Sequence, residues 1–418
     1  MSTSILACAQ DSTSVINAKE VERIERILSC DEMEGRKAGT PGIEKAARFI
    51  ADEFKSVGLK TFNGSADYLQ AFKLVQPKFL EVKAEMDGVG LDPKKIIVLT
   101  TEEELKVNEK SGYEFKTILP DLNLMQEAYK LISAQKNYVV FVNEKHATQF
   151  SRLVRFRQPG FETNSSLIFI LSNKTSAKQF NAKARHSMGA IDMANVVGVL
   201  PGKTKANEYV IFSAHHDHIG IGKALNGDSI YNGANDDAAG TTAVIMLAKY
   251  FKQLNNNERT LVFATFTAEE SGGFGSQYFS RQMDPSKVVA MFNIEMIGTE
   301  SKWGKNSAYI TGFDQTDMGK ILQENLKGTS FTFHPDPYPE QDLFYRSDNA
   351  TLAKLGVPAH TISTSKMDSE KFYHTADDEI ETLEMQNMTA IIKAIAESAK
   401  GIIAGRQTPQ RVNMKQLK

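Results

Sequence analysis

The sequence predicts an α/β protein: a mixed, largely parallel central sheet flanked by helices, with an inserted α/β accessory domain. Three observations lead there. From Asn195 onward, short apolar runs alternate with helical stretches as strand–loop–helix units. The runs read as buried strands, and buried strands alternating with helices belong to a sheet that is at least partly parallel. Residues 77–188 have a different texture and separate an amino-terminal pair of helices from the main run.

Taken in order, residues 1–16 are the least regular. The first basic residue is Lys19 and the apolar patch runs only from Ile5 to Ala9, short of the roughly 7–15 residues of a secretory signal core. ILAC before a polar stretch looks like the end of a lipoprotein signal, with Cys8 as the lipid-bearing residue. ACA before Gln10 looks equally like a small-residue cleavage site, and a polar cytoplasmic terminus is the third reading. The expectation carried forward is export, to the periplasm, the envelope or the medium. AKEVERIERILSC (18–30) and IEKAARFIADEFKSV (43–57) have helical periodicity with charged outer faces, joined by the Gly/Pro loop DEMEGRKAGTPG.

Within 77–188, KIIVLTT, NYVVFVN and SLIFILS read as strands, interleaved with helical QEAYKLISAQ and SAKQFNAKA. His146 and His186 stand alone there, away from other ligand-type residues. The main run then supplies strands EYVIFSAHHD, RTLVFATFTAEE, VVAMFNIEMIG, AYITG and PAHTIS, with helical AAGTTAVIMLAKYFKQL and NATLAKLG among them. The expected division is a discontinuous main domain over 17–76 and 189–405, an accessory domain over 77–188 and a tail over 406–418. No repeat at a 20–50 residue period is evident.

Composition narrows the function. Lys and Arg total 49 against 51 Asp and Glu, for a net charge of −2, so nothing electrostatic calls for nucleic acid or an anionic membrane. No apolar run approaches the roughly 18–20 residues of a membrane-spanning helix. Two cysteines, Cys8 and Cys30, make neither a disulfide framework nor a thiolate zinc site. Chemistry here must rest on His, Asp and Glu.

Those residues collect at predicted strand ends, where open α/β sheets bind ligands. EYVIFSA runs into His215, His216, Asp217 and His218. Residues two apart on an extended chain share a face, so Asp217 can orient His215 as a carboxylate partner of its second ring nitrogen. Asp236 and Asp237 sit in a Gly/Asn turn before a long apolar helix; capping explains one acid, whereas a carboxylate bridging two cations explains Asp236. Glu269 and Glu270 end the next strand, where one can bind metal while its neighbour accepts a proton. Glu295 lies inside apolar NIEMIG, an expensive place for an unpaired acid. His374 follows Tyr373 in a polar loop. Nitrogen and oxygen donors without thiolates suit zinc, with cobalt or manganese as alternatives. So many groups suit two ions about 3.5–4 Å apart better than one.

SAHHDH, GANDDAAG, TAEESG, NIEMIG and FYHTADD resemble, in order, the motifs of the di-zinc exopeptidases of peptidase family M28, which includes bacterial aminopeptidases and glutamate carboxypeptidase. The resemblance covers Asn195 to about Leu383, and EMEGRKAGTPG resembles the family's entry segment. It implies the zinc-exopeptidase fold and a set of roles. His215 and Glu295 complete one metal site, Glu270 and His374 the other, and Asp236 bridges both. Asp237 follows Asp236 across a peptide bond that is often cis in the family. Glu269 is the general base, Asp217 the partner of His215, Tyr373 an oxyanion donor and Arg346 a substrate-pocket residue. Two positions depart from the family pattern: Glu295 stands where aspartate is usual, and Asn349 where a histidine or aromatic is frequent.

The expected activity is therefore that of a metal-dependent exopeptidase, foremost an aminopeptidase, acting on peptide through a water activated by two metals. A glutaminyl-peptide cyclotransferase and a non-catalytic binding protein on the same fold are the rivals. The intact GANDDAAG turn and the complete ligand set favour hydrolysis over both. Residue preference and oligomeric state are not written in these motifs.

Overall fold

A computed structural model describes residues 15–417. Cys8, one expectation for which is a lipid anchor, and most of the expected leader lie outside those residues. No helix among the described residues is long and apolar enough to cross a membrane. The chain divides into one unit formed by residues up to Phe72 and from Met193 onward, and a second formed by Lys73–Asp192.

The first unit begins with α1 (Ala18–Leu28) and α2 (Pro41–Val57). Asn17 caps α1 by accepting from the Glu20 amide at 3.1 Å. α2 opens on Pro41 and stops at Gly58 in the left-handed region, φ 75°. The strands are β1 (Lys205–His215), β2 (Arg259–Phe266), β3 (Val288–Ile294), β4 (Ser307–Ile310), β5 (Thr332–Pro335) and β6 (Ala359–Ser363). Helix α3 (Ala239–Leu254) connects β1 to β2, and α4 (Met385–Ile403) follows β6. The spatial order is β5-β4-β6-β3-β1-β2, with residues Val196–Leu200 pairing antiparallel on the outer side of β2. β1 is parallel to both β2 and β3, and β3 to β6, whereas β4 runs antiparallel to β6. The sheet is mixed and largely parallel, as expected.

Burial on both faces explains the apolar runs. Val210, Phe212 and Ala214 of β1 enter one core with α1, α2, α3 and α4, while Ile211 enters another on the opposite face. Phe212 stacks on Phe263, Phe292 and Phe251, tying three strands to α3. α3 is buried almost all round, the signature of a central helix, and its first turn starts two residues after Asp237. The stretch expected as a tail is docked: Arg259 donates to the carbonyls of Ile402 and Gln407 and to the Thr408 hydroxyl, and Val412 is buried.

The second unit has a four-stranded sheet in the order Ile96–Leu99, Leu167–Leu171, Tyr138–Val142, Glu114–Ile118. The first pair is antiparallel and the others parallel, with the helix Leu124–Ser133 as the main helix of the unit. SAKQFNAKA, expected as helix, is instead the approach to the strand Phe180–Leu200 and its first residues. Phe180, Ala182, Ala184 and His186 are buried in alternation with exposed Asn181, Lys183 and Arg185, a period of two that only a strand produces. The strand pairs with Glu104–Asn108 in register.

One core carboxyl makes the first unit sensitive to pH. Glu25 of α1 is fully buried, with one oxygen accepting from the Thr242 hydroxyl and the other without a partner. Burial pushes its carboxyl from 4.5 up to about 8, against the pull of Thr242 and Arg36. A carboxyl raised on folding contributes stability that is full below the unfolded value and is lost as pH rises through the folded one. Urea unfolding of wild type should therefore weaken between pH 5 and 8 relative to Glu25→Gln, by up to about 4 kcal/mol. Parallel stability curves for the two proteins would show that Glu25 does not carry this dependence.

Candidate metal centre

The carboxyl ends of β1, β2 and β3 face one cavity, lined by Asp236, Glu269, Glu270, Glu295, Tyr373 and His374 among others. His215 is the last residue of β1. Its Nε2 lies 3.2 Å from Asp236 Oδ1, and its Nδ1 lies 3.1 Å from the backbone carbonyl of Asp217. The Asp217 carboxylate, expected in that second place, is 3.8 Å away. It accepts instead from the amides of Glu269 and Glu270, at 3.0 and 3.3 Å. Asp217 thus orients His215 through its main chain and the adjacent glutamates through its side chain.

Backbone donors hold the acidic turn rigidly. Asp378 accepts from the Asn235 and Asp236 amides at 2.8 and 3.0 Å. Asp237 accepts from the amides of Gly240, Met296 and His215, which ties the turn to the ends of β1 and β3. The peptide bond between Asp236 and Asp237 is cis. Beneath lies Arg36, fully buried, donating to the carbonyls of Leu28, His216, Asn232 and Gly233. One guanidinium thereby ties the loop after His215 to the turn that carries Asp236. Ala268, Met296 and His374, at or beside ligand positions, all have φ between 52° and 58°, a costly conformation for non-glycine residues that gathers at functional sites.

Two groups of donors share Asp236. His215, Asp236 and Glu295 form one, and His218, Asp236 and Glu270 the other, each with donor atoms within 4.8 Å of one another. His374 closes on the second group, its Nε2 lying 3.3 Å from Asp236 Oδ2 and 3.2 Å from Glu270 Oε2. In a tetrahedral zinc site with bonds of about 2.0–2.1 Å, ligand atoms stand about 3.3 Å apart. Separations of 3.2–3.3 Å match that value. His215 Nε2, Glu270 Oε1 and Glu295 Oε2 are buried without hydrogen-bond partners, which is expensive unless a cation satisfies them. The residues present fit a pair of divalent ions. Glu269 lines the same cavity but belongs to neither group.

Burial pushes the Glu269 carboxyl well above the ordinary range, and Glu295, Asp348 and Asp217 reinforce it against the pull of His215. Burial likewise takes Glu295 up to about 7. Burial works against a charged His374, yet contacts with Asp236 and Glu270 push it up to about 10. Tyr373 stacks on His374 with ring centroids 3.9 Å apart. Burial and the charges of Asp236, Glu270 and Glu295 raise its phenol, which keeps its proton. Arg346 lies at the exposed edge of the cavity and donates to Gln341 Oε1 at 3.3 Å. Asn349 is buried, donating to the carbonyls of Phe344 and Ala359 and accepting from the Thr361 hydroxyl.

Sequence reasoning left His218, Arg36 and Asp378 unassigned. His218 sits in the quoted SAHHDH run, Arg36 in EMEGRKAGTPG and Asp378 in FYHTADD. Each was inside a recognised motif, and only tertiary contact shows what it touches.

The family model described as Peptidase family M28 matches residues 195–399. Leucine aminopeptidase 1 of Neurospora crassa is 28% identical over 227 residues, 51% of this chain and 55% of that protein. The Aspergillus clavatus protein of the same name is 26% identical over 282 residues, 63% of this chain and 71% of its own length. The matched region thus spans little more than half of the Neurospora relative. Among solved structures, the aminopeptidase from Aneurinibacillus sp. strain AM-1 superposes with a TM-score of 0.55 at 17% identity, covering 97% of this chain and 98% of that one. BSAP, a zinc aminopeptidase from Bacillus subtilis, gives 0.54 at 17% identity, covering 96% and 97%. At that identity the superpositions establish the fold.

Glu295 provides the first test of the donor groups. Zinc titration of metal-free wild type should reveal two sites. Glu295→Gln should leave one unchanged and weaken the other by at least about tenfold, since an amide is a poorer ligand than a carboxylate. Two sites of wild-type affinity in that variant would remove Glu295 from the ligand set.

Proposed function

We propose that this chain, which belongs to peptidase family M28, is a metal-dependent aminopeptidase that removes amino-terminal residues from peptides. The observation that carries the proposal is the position of Glu269. It is a carboxylate that lines the cavity beside two donor groups that share Asp236, without belonging to either. The names of the leucine aminopeptidase relatives support the choice of reaction.

In this reading His215, Asp236 and Glu295 hold one divalent ion, and Asp236, Glu270 and His374 the other, with zinc the expected metal and cobalt or manganese able to replace it. Two such ions, when bound, polarise a scissile carbonyl and bring the pKa of a coordinated water toward neutrality. Glu269 accepts the proton of the attacking water as its oxygen bonds to the carbonyl carbon. It then delivers that proton to the amine nitrogen as the C–N bond breaks, so atoms and charge balance. Tyr373, holding its phenolic proton, donates to the oxyanion that develops. Asp217 sets the Glu269–Glu270 turn through two backbone amides. Arg346 meets the peptide at the cavity mouth.

The test uses peptides with free and acetylated amino termini. Wild type should release the first residue only from the free ones, lose activity after dialysis against a chelator and regain it with zinc or cobalt. Glu269→Gln should retain both ions while turnover falls about 10²–10⁴-fold. Pyroglutamate formation from an amino-terminal glutamine peptide without residue release would identify a cyclase instead. A Glu269→Gln protein as active as wild type would remove Glu269 from its role.

A further inference from the structure

We propose that His218 is an additional protein ligand of the ion held by Asp236, Glu270 and His374, which makes the two metal positions unequal. The inference rests on the two-metal reading above and goes beyond the ligand set assigned there. The His218 ring is buried, with Nδ1 2.9 Å from Glu270 Oε1 and 3.9 Å from Asp236 Oδ2. These values bracket the ligand separation of about 3.3 Å around a tetrahedral zinc. Neither ring nitrogen makes a hydrogen bond. A buried imidazole with an unpaired nitrogen aimed at two carboxylates is expensive to maintain, and a cation between them satisfies all three.

The fold places this ring deliberately. The His218 amide donates to the Arg36 carbonyl at 3.2 Å, so the buried guanidinium segment sets where the loop turns. Gly233, at φ 56°, leaves the space the ring occupies: a Cβ there would come within 2.5 Å of His218 Cγ and Cδ2. The glycine that opens the acidic turn therefore admits the imidazole that faces its aspartate. His374, the other imidazole of this group, is 36% exposed on a loop, whereas His218 is enclosed.

With His218 counted, one position has four protein donors: His218, Asp236, Glu270 and His374. The other has three: His215, Asp236 and Glu295. Closed tetrahedral sets characterise firmly held zinc, and sets of three leave a place for water or substrate. The Glu270 position is thus the firmly occupied one, and the Glu295 position the open, exchangeable one.

Zinc titration against a competing chelator, on whole metal-free protein, tests this. Wild type should bind two ions with unequal affinity. His218→Ala should weaken the tighter site more than about 100-fold and leave the weaker one unchanged. Loss of an outer hydrogen-bond partner costs only about 10–100-fold, so any fall within that range, or none, overturns the inference while the two-metal reading stands. Binding of no ion by wild type would overturn both. Should the alanine variant fail to fold, His218→Gln keeps most of the side-chain volume, and the same thresholds apply. The visible absorption of cobalt-loaded protein adds a second readout. The band of the first-bound ion should change in the variant; an unchanged band would also overturn the assignment.

Discussion

Asp217, Asp236, Asp237, Glu269, Glu270 and Glu295 converge behind the ends of three strands, all buried or half-buried. Repulsion among buried like charges governs what this part of the molecule must do. Arg36 lies below them, its guanidinium committed to four carbonyl oxygens. Main-chain amides relieve part of the charge: Asp217, Asp237 and Asp378 each accept from at least two of them. What remains on Asp236, Glu270 and Glu295 faces the cavity with imidazoles between, an arrangement suited to divalent cations.

That constraint explains features that otherwise look unrelated. Parallel strands bring their carboxyl ends, and hence their loops, to one edge. The left-handed backbone at Ala268, Met296 and His374 turns the segments that carry Glu269–Glu270, Glu295 and His374 sharply at that edge. Gly240 is excluded from carrying a side chain by the Ile294 carbonyl and the Asp237 carboxylate, so α3 approaches β3 closely enough for Asp237 to reach the Met296 amide. The sheet core, the acidic turn and the buried arginine form one mechanical system whose product is a fixed set of donors.

Much of this was legible in the sequence because strands buried on both faces write themselves as apolar runs, and a polar residue that ends such a run stands out. His215, Glu269, Glu270 and Glu295 stand out that way, and Asp236 by an excess of acid over what a cap needs. His218 does not, because a period of two relates His215 to Asp217 only while the chain stays extended, and β1 ends at His215. Arg36 and Asp378 act on backbone atoms far away in sequence, which leaves no local pattern. For the same reason the Asp217 carboxylate was assigned to His215 although its carbonyl lies closer. In the second unit, Phe180 to His186 alternates apolar with polar residues, yet lysine and alanine, good helix formers, masked the period. The division at Phe72 and Met193 lies within the strands Leu69–Met86 and Phe180–Leu200, where composition changes little.

The central claim is that Asp236 joins two metal positions. Anomalous diffraction at the zinc edge, from crystals of zinc-loaded protein, tests it without reference to activity. Two peaks should appear about 3.5–4 Å apart, both within bonding distance of the Asp236 carboxylate. One should lie beside His215 and Glu295, the other beside His218, Glu270 and His374. A single peak, or two peaks of which either lies beyond the reach of Asp236, would contradict the account.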